Sequence, residues 1–251
     1  MSATADYVRL PKTAMVVAGR IRSEIVRNQL ANGDELMPLE QLATRFGVSL
    51  PTLREALRIL ESEGLISIRR GTRGGVRIHR PDSRSAAMYA GLVLQAESTT
   101  ILDVYQARCV LEPAAVRALA EAFDAGAIKR LRGAVDEIRT IEDPVTFLRA
   151  GTHFHLLIVE LTGNRTLTLI ASILRQIAEA AVTQVTKSLV QHEAVLDRQG
   201  ALSRYDRLLE LIEAGDADGA EAHWRTQMEM VTRRTVNEVG EHAVIDVLGS
   251  Q

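Results

Sequence analysis

Two hundred and fifty-one residues, 46% hydrophobic and 25% charged, are enough to bury one large or two modest cores, which excludes a disordered chain. Thirty Lys and Arg against 32 Asp and Glu leave a formal charge of -2, which argues against a polybasic protein that coats nucleic acid or membrane indiscriminately. One cysteine cannot make an intramolecular disulfide or a cysteine-based zinc site, the opening MSATADYVRLPK lacks the apolar run of a signal peptide, and no stretch reaches the roughly 18 apolar residues of a membrane span, so a soluble, cytoplasmic protein is expected.

The neutral average hides a split. Residues 1–80 hold 13 basic against 8 acidic residues, whereas residues 81–251 hold 17 against 24. The excess is steepest from Gln41 to Arg80, with 8 arginines against Glu55, Glu61 and Glu63. Charge alone leaves a solvated arginine surface as good a reading as a phosphate-binding face.

Local pattern separates the two. Val16, Val17, Ile21, Ile25 and Leu30 recur at helical spacing from Thr13 to Leu30, and AsnGlyAsp at 32–34 stops the run. Pro38 opens a short helix carrying Leu39, Leu42 and Phe46 that ends at Gly47. Ser49, an N-cap type, and Pro51 then start an amphipathic run to Gly64. Two short helices joined by a tight glycine turn make a helix-turn-helix, and the alternating LISIRR and VRIH around RGTRGG add a hairpin. The whole is a winged helix-turn-helix.

In such a unit the second helix of the pair enters the major groove with its N-terminal residues at base edges. Here that turn offers Ser49, Thr52 and Arg54, and Arg54 is suited to a bidentate guanine contact. Arg69, Arg70 and Arg73 gather at the hairpin tip beside Gly71, whose bare backbone permits close approach to phosphates. Arg58 is either a DNA contact or half of a surface pair with Glu55 or Glu61.

The stretch LATRFGVSLPTLREALRILESEGLISIRRGTRGGVRI resembles the winged-helix domain of the GntR family of bacterial transcription regulators. The resemblance implies DNA contacts at Ser49, Thr52, Arg54, Arg70 and Gly71. Leu50 and Glu40 stand where members usually place two further DNA-contacting arginines, which implies a shifted operator preference.

Beyond ProAspSer at 81–83 almost every segment has helical period, with helices expected near 84–96, 100–123, 125–140, 144–161, 164–188, 199–214 and 216–238. Together they form an antiparallel bundle able to enclose a ligand. The expected architecture is mostly α: a DNA-binding domain at 1–80, a linker at 81–85, a helical effector-binding and dimerisation domain at 86–240 and a tail at 241–251. The chain has no phosphate loop, nucleophile elbow or HExxH, so no enzyme activity is expected.

VYQARCVLEPAAVRALA, FHLLIVELTGN and YDRLLELIEAGDADGAEAHWRTQM, in that order behind the winged helix, resemble the FCD effector domain of the FadR subgroup of GntR regulators. That resemblance implies a homodimer, most often a repressor, that reads a palindromic operator and binds a small metabolite inside the bundle. Many members hold a metal there with one Asp and three His. On the helix at 144–161 His155 lies on the apolar stripe while His153 points elsewhere, and His155 coincides with one family ligand. The other positions carry Gly151, Tyr205 and Gln227, a poor set for a first-row metal, so no metal is expected. His223 could enter a rebuilt site or simply be hydrogen-bonded.

With Gly151, Tyr205, Trp224 and Gln227 lining the interior, a larger or more apolar effector is expected, such as a fatty acid or its acyl-CoA ester. Arg108 sits where members carry a pocket arginine; it either meets an anionic group or pairs with Glu112 or Asp103. A metal-dependent sensor of a small carboxylate, or an enzyme carrying an inherited DNA-binding head, stand as alternatives.

Overall fold

A computed structural model describes residues 12–27, 30–69, 75–189 and 197–246, the stretch 181–189 by its backbone alone. Among these residues ten helices and a single two-stranded antiparallel sheet form two units that part between Ser85 and Ala86.

The first unit runs α1 (Lys12–Val26), α2 (Leu39–Phe46), α3 (Leu50–Ser62), β1 (Ile66–Ile68) and β2 (Val76–Ile78). Its core interdigitates Ile21 and Ile25 of α1, Leu42 of α2, Leu53, Leu57 and Leu60 of α3 and Ile78 of β2, all at most 1% exposed. Ile66 faces Ile78 and Ile68 faces Val76 across the hairpin; Ile66, Val76 and Ile78 turn inward, while Ile68 at the end of β1 is 38% exposed. Leu36 and Asp34 add a further stretch of pairing to the other edge of β2, through Leu36 N to Val76 O and Ile78 N to Asp34 O. The sequence offered AsnGlyAsp only as a stop for α1, and this edge cover is what keeps so short a hairpin from standing alone. Arg22 clamps Glu63 through Nε and Nη2, and Arg45 reaches Glu24; these exposed pairs are worth about 1 kcal/mol or less each.

The second unit holds α4 (Ser83–Ala96, which begins just before it), α5 (Ile101–Ala122), α6 (Ala125–Thr140), α7 (Pro144–Leu161), α8 (Arg165–Leu189), α9 (Arg198–Glu213) and α10 (Ala217–Val239). Each expected helix is present, and the stretch read as a linker is helical from Ser83 onward. Caps explain the boundaries: Thr100 and Asp103 form a capping box on α5, while Asp124, Asp143, Asp197 and Asp216 accept N–H groups of the first turns of α6, α7, α9 and α10. The main core joins Phe154, Ile158, Leu208 and Trp224, none more than 1% exposed. A second core joins Ile101, Val104 and Tyr105 of α5 to Ile177 and Ala178 of α8 and to Ile245.

Ile245 belongs to the segment read as a tail. Through residue 246 that segment does not hang free: Val244 bridges Thr100, Ile101 N bonds Ala243 O, and Ile245 N bonds Thr99 O. The burial of Ile245 to 1% exposure supplies the driving force for this strap.

Candidate functional site

In the first unit the decisive geometry is the entry to α3. Gly47 adopts the left-handed conformation (φ 63, ψ 37) that closes α2 and turns the chain, a conformation that is uncommon for residues with a Cβ. Ser49 caps α3, its Oγ accepting from Thr52 N at 3.4 Å and lying 2.9 Å from Thr52 Oγ1. The two hydroxyls therefore form one polar step at the helix start. Arg54, one turn further on, is exposed and has neither ion pair nor hydrogen bond among the described residues. Arg58 is also exposed but pairs with Glu55 at 3.1 Å, and Glu61 turns away to accept from Ile68 N at 3.0 Å. Arg69 is exposed at the end of β1, its N–H bonded to Gly75 O. Arg70, Gly71 and Arg73 lie outside the described residues.

In the second unit three helices converge on a buried carboxylate. Glu112 on α5 is 4% exposed. Its Oε1 accepts from Arg108 Nε at 2.8 Å; its Oε2 accepts from His155 Nδ1 on α7 at 2.7 Å and from Trp224 Nε1 on α10 at 3.3 Å. Burial alone would raise the Glu112 carboxyl, but the charge of Arg108 and the His155 contact overcome it and hold the group at about 2. The same pairing keeps Arg108 charged against its own desolvation. Because an ionised carboxylate can only accept, His155 Nδ1 carries the proton, and Arg108 Nη2, 3.4 Å from that nitrogen, is a neighbouring charge rather than a donor to it.

The interior residues expected to line a wide cavity are together, but they are packed. Tyr205 stacks on Phe154 at 4.6 Å and His155 on Trp224 at 4.7 Å. A Cβ at Gly151 would lie 3.0 Å from the Tyr205 hydroxyl, so the room left by that glycine is already taken by the phenol. Burial pushes the Tyr205 hydroxyl up to about 12, so it is neutral. Gln227 is 3% exposed, and its Oε1 has no partner among the described residues. His153 is exposed, and His223 Nε2 donates to the Arg204 carbonyl at 2.9 Å.

A small cavity lies to one side, lined by Arg108, Glu112, Thr152, His155, Leu156, Ala171 and Arg175, with room of about 10 Å³, about one water. Tyr205, Trp224, Gln227 and Gly151 are not in its wall. Residue spacing pairs Arg108 with Glu112 one helical turn away, and Asp103 is spent on the Thr100 cap. Sequence reasoning missed Arg175 and Thr152, which face this space from α8 and α7; nothing in the pattern of α8 marks Arg175 out from its other polar residues.

A metal does not fit these residues. A guanidinium stands 3.4 Å from the His155 ring, Tyr205 is a neutral phenol, and the space at Gly151 is filled. Among the described residues no group of three or more His, Cys, Asp or Glu converges to hold an ion.

Residues 103–230 match the FCD domain, and residues 13–77 match the bacterial regulatory proteins of the gntR family. The chain is a GntR-family regulator with an FCD domain. It is similar to the HTH-type transcriptional repressor NanR of Citrobacter rodentium (strain ICC168), 26% identical over 226 residues, 88% of this chain and 84% of that one. It is also similar to the putative HTH-type transcriptional regulator RmpR of Mycobacterium gastri, 26% identical over 241 residues, 95% of this chain and 85% of that one. Among solved structures a Streptococcus agalactiae GntR superimposes with a TM-score of 0.62 at 18% identity, covering 88% of this chain and 99% of the other, which shows a shared fold. The regulator is thus a DNA-binding transcription factor whose FCD domain is the effector-binding half. No described helix is long and apolar enough to cross a membrane.

Proposed function

We propose that this regulator is a repressor, not an enzyme, that binds a palindromic operator as a homodimer and changes its grip when a compact anion enters the FCD domain. The observation that carries this reading is the buried charge cluster of Arg108, Glu112 and His155 beside a small cavity in the FCD domain. Buried ionic groups are costly and tend to mark function.

On the DNA side, Ser49, Thr52 and Arg54 of the α3 entry would meet base edges and phosphates, with Arg58, Arg69, Arg70, Gly71 and Arg73 on the flanking backbone. Arg54 is the strongest member because no described residue competes for it. A dimer axis would be mirrored in the operator half-sites. The open face of α4, where Met88, Tyr89 and Val93 are 50–69% exposed, supports a second copy as its cover.

On the effector side, five of the seven lining residues are polar, which favours a compact anion over the acyl chain of a fatty acid or acyl-CoA. Two guanidiniums, Arg108 and Arg175, stand in the cavity wall, so the reading needs no cofactor. A selected operator fragment in a gel shift, repeated with acetate-like monocarboxylates, dicarboxylates, free fatty acids and acyl-CoAs, tests this directly. Release from DNA is expected with small carboxylates. Release by acyl-CoA alone would overturn the anion reading, and failure to bind any operator fragment would overturn the regulator reading.

A further inference from the structure

The resemblance to FCD regulators singles out Arg108 as the arginine that meets an effector, yet Arg108 already has an anion. Its Nε is given to Glu112 at 2.8 Å, its face lies 5.0 Å over the Tyr105 ring, and its pair is 4–7% exposed. A saturated carboxylate with three donors, one of them a ring nitrogen 2.7 Å away, is the hardest partner in the domain to displace.

Across the same cavity stands a second guanidinium in a different condition. Arg175 on α8 gives Nη1 to both oxygens of Glu179, at 2.7 Å each, on the rim side where Glu179 is 39% exposed. Its Nε is buried and has no hydrogen-bond partner among the described residues. Arg22 in the first unit shows how this edge is normally filled, with Nε and Nη2 gripping the two oxygens of Glu63 in parallel. At Arg175 the Nε of that edge has no partner among the described residues, although a buried N–H left unpaired is costly.

We propose that Arg175, not Arg108, receives the effector's carboxylate, through the Nε edge that the protein leaves unfilled. Arg108 and Glu112 then form a pre-neutralised wall that holds the His155 ring in one orientation. The remaining lining favours a ligand that can also donate: the Thr152 hydroxyl is spent on Leu148 O at 3.0 Å, which leaves its lone pairs as acceptors. A carboxylate bearing a neighbouring hydroxyl matches that order of groups. Because the present room holds about one water, its entry must part α7 from α8 at Leu156 and Ala171.

This assignment rests on the FCD domain binding a small anion, and the test separates the two. The full-length regulator, labelled with 15N, is titrated with glycolate and with acetate while the arginine Nε–H signals are followed; Arg175→Lys identifies the Arg175 signal. Saturable movement of that signal is expected, with affinity for glycolate at least tenfold weaker in Arg175→Met and Arg175→Lys. An unchanged melting temperature in the lysine variant shows that the fold survives. Movement at Arg108 with none at Arg175, or unchanged affinity in both Arg175 variants, overturns the assignment while leaving the anion site standing. Absence of binding to either acid in the unaltered protein overturns both.

Discussion

Arg54 on α3 and Arg108 on α5 carry the same guanidinium into opposite surroundings. Arg54 is exposed and unpaired, whereas Arg108 is 7% exposed and locked to Glu112. Water solvates the first charge; the second can exist in the interior only because its counter-ion is built into the next turn of its own helix. The contrast separates a group held ready for an external anion from one that organises the interior. Arg175 sits between these limits, mostly buried and only half engaged.

The comparison breaks first at Glu112. Glu112→Gln strips the counter-charge from buried Arg108 and is expected to lower stability by about 3–5 kcal/mol, read by urea unfolding; replacing Arg108 and Glu112 together by Met and Leu should recover much of the loss, and no recovery would refute the view that charge balance, not shape, is at stake. The next effect is acid. The Glu112 carboxyl is ordinarily near 4.5 and is held at about 2 in the fold, so its stabilisation is complete above about pH 5 and disappears as pH falls toward 2. The difference corresponds to roughly 3 kcal/mol, and unfolding between pH 5 and 2 should be shallower in Glu112→Gln. The smallest effects lie on α3. Arg54→Ala should cost operator binding about 1–3 kcal/mol with the melting temperature unchanged, while Arg58→Ala, whose partner is a surface pair, should change stability by less than about 0.5 kcal/mol. Equal losses of operator affinity in both variants would erase the distinction between them.

Much of this architecture was legible in the sequence because it rests on short-range chemistry. Helical period placed α4 to α10, and Gly47, Ser49 and Pro51 marked the turn and cap that aim α3. The strap at 243–246 and the pairing of 34–36 with β2 were not legible, since both depend on partners far along the chain. The candidate site divides in the same way. His155 was found on its apolar stripe, but an aromatic at Tyr205 cannot announce that it fills the space of Gly151, and polar residues at Thr152 and Arg175 look like any half-exposed helix positions. Burial of an i, i+4 pair such as Arg108 and Glu112 is a tertiary fact; the same spacing elsewhere, at Arg117 and Glu121, lies on the surface.

The strap also orders the birth of the two units. Every core partner of the first unit lies between Ala14 and Ile78, so it has all of its contacts before a third of the chain has been made. The second unit joins Ile101 to Ile245 across some 144 residues, a contact of high sequence separation that slows closure. During synthesis the first unit can therefore fold while the second still waits for Ile245 to close its smaller core.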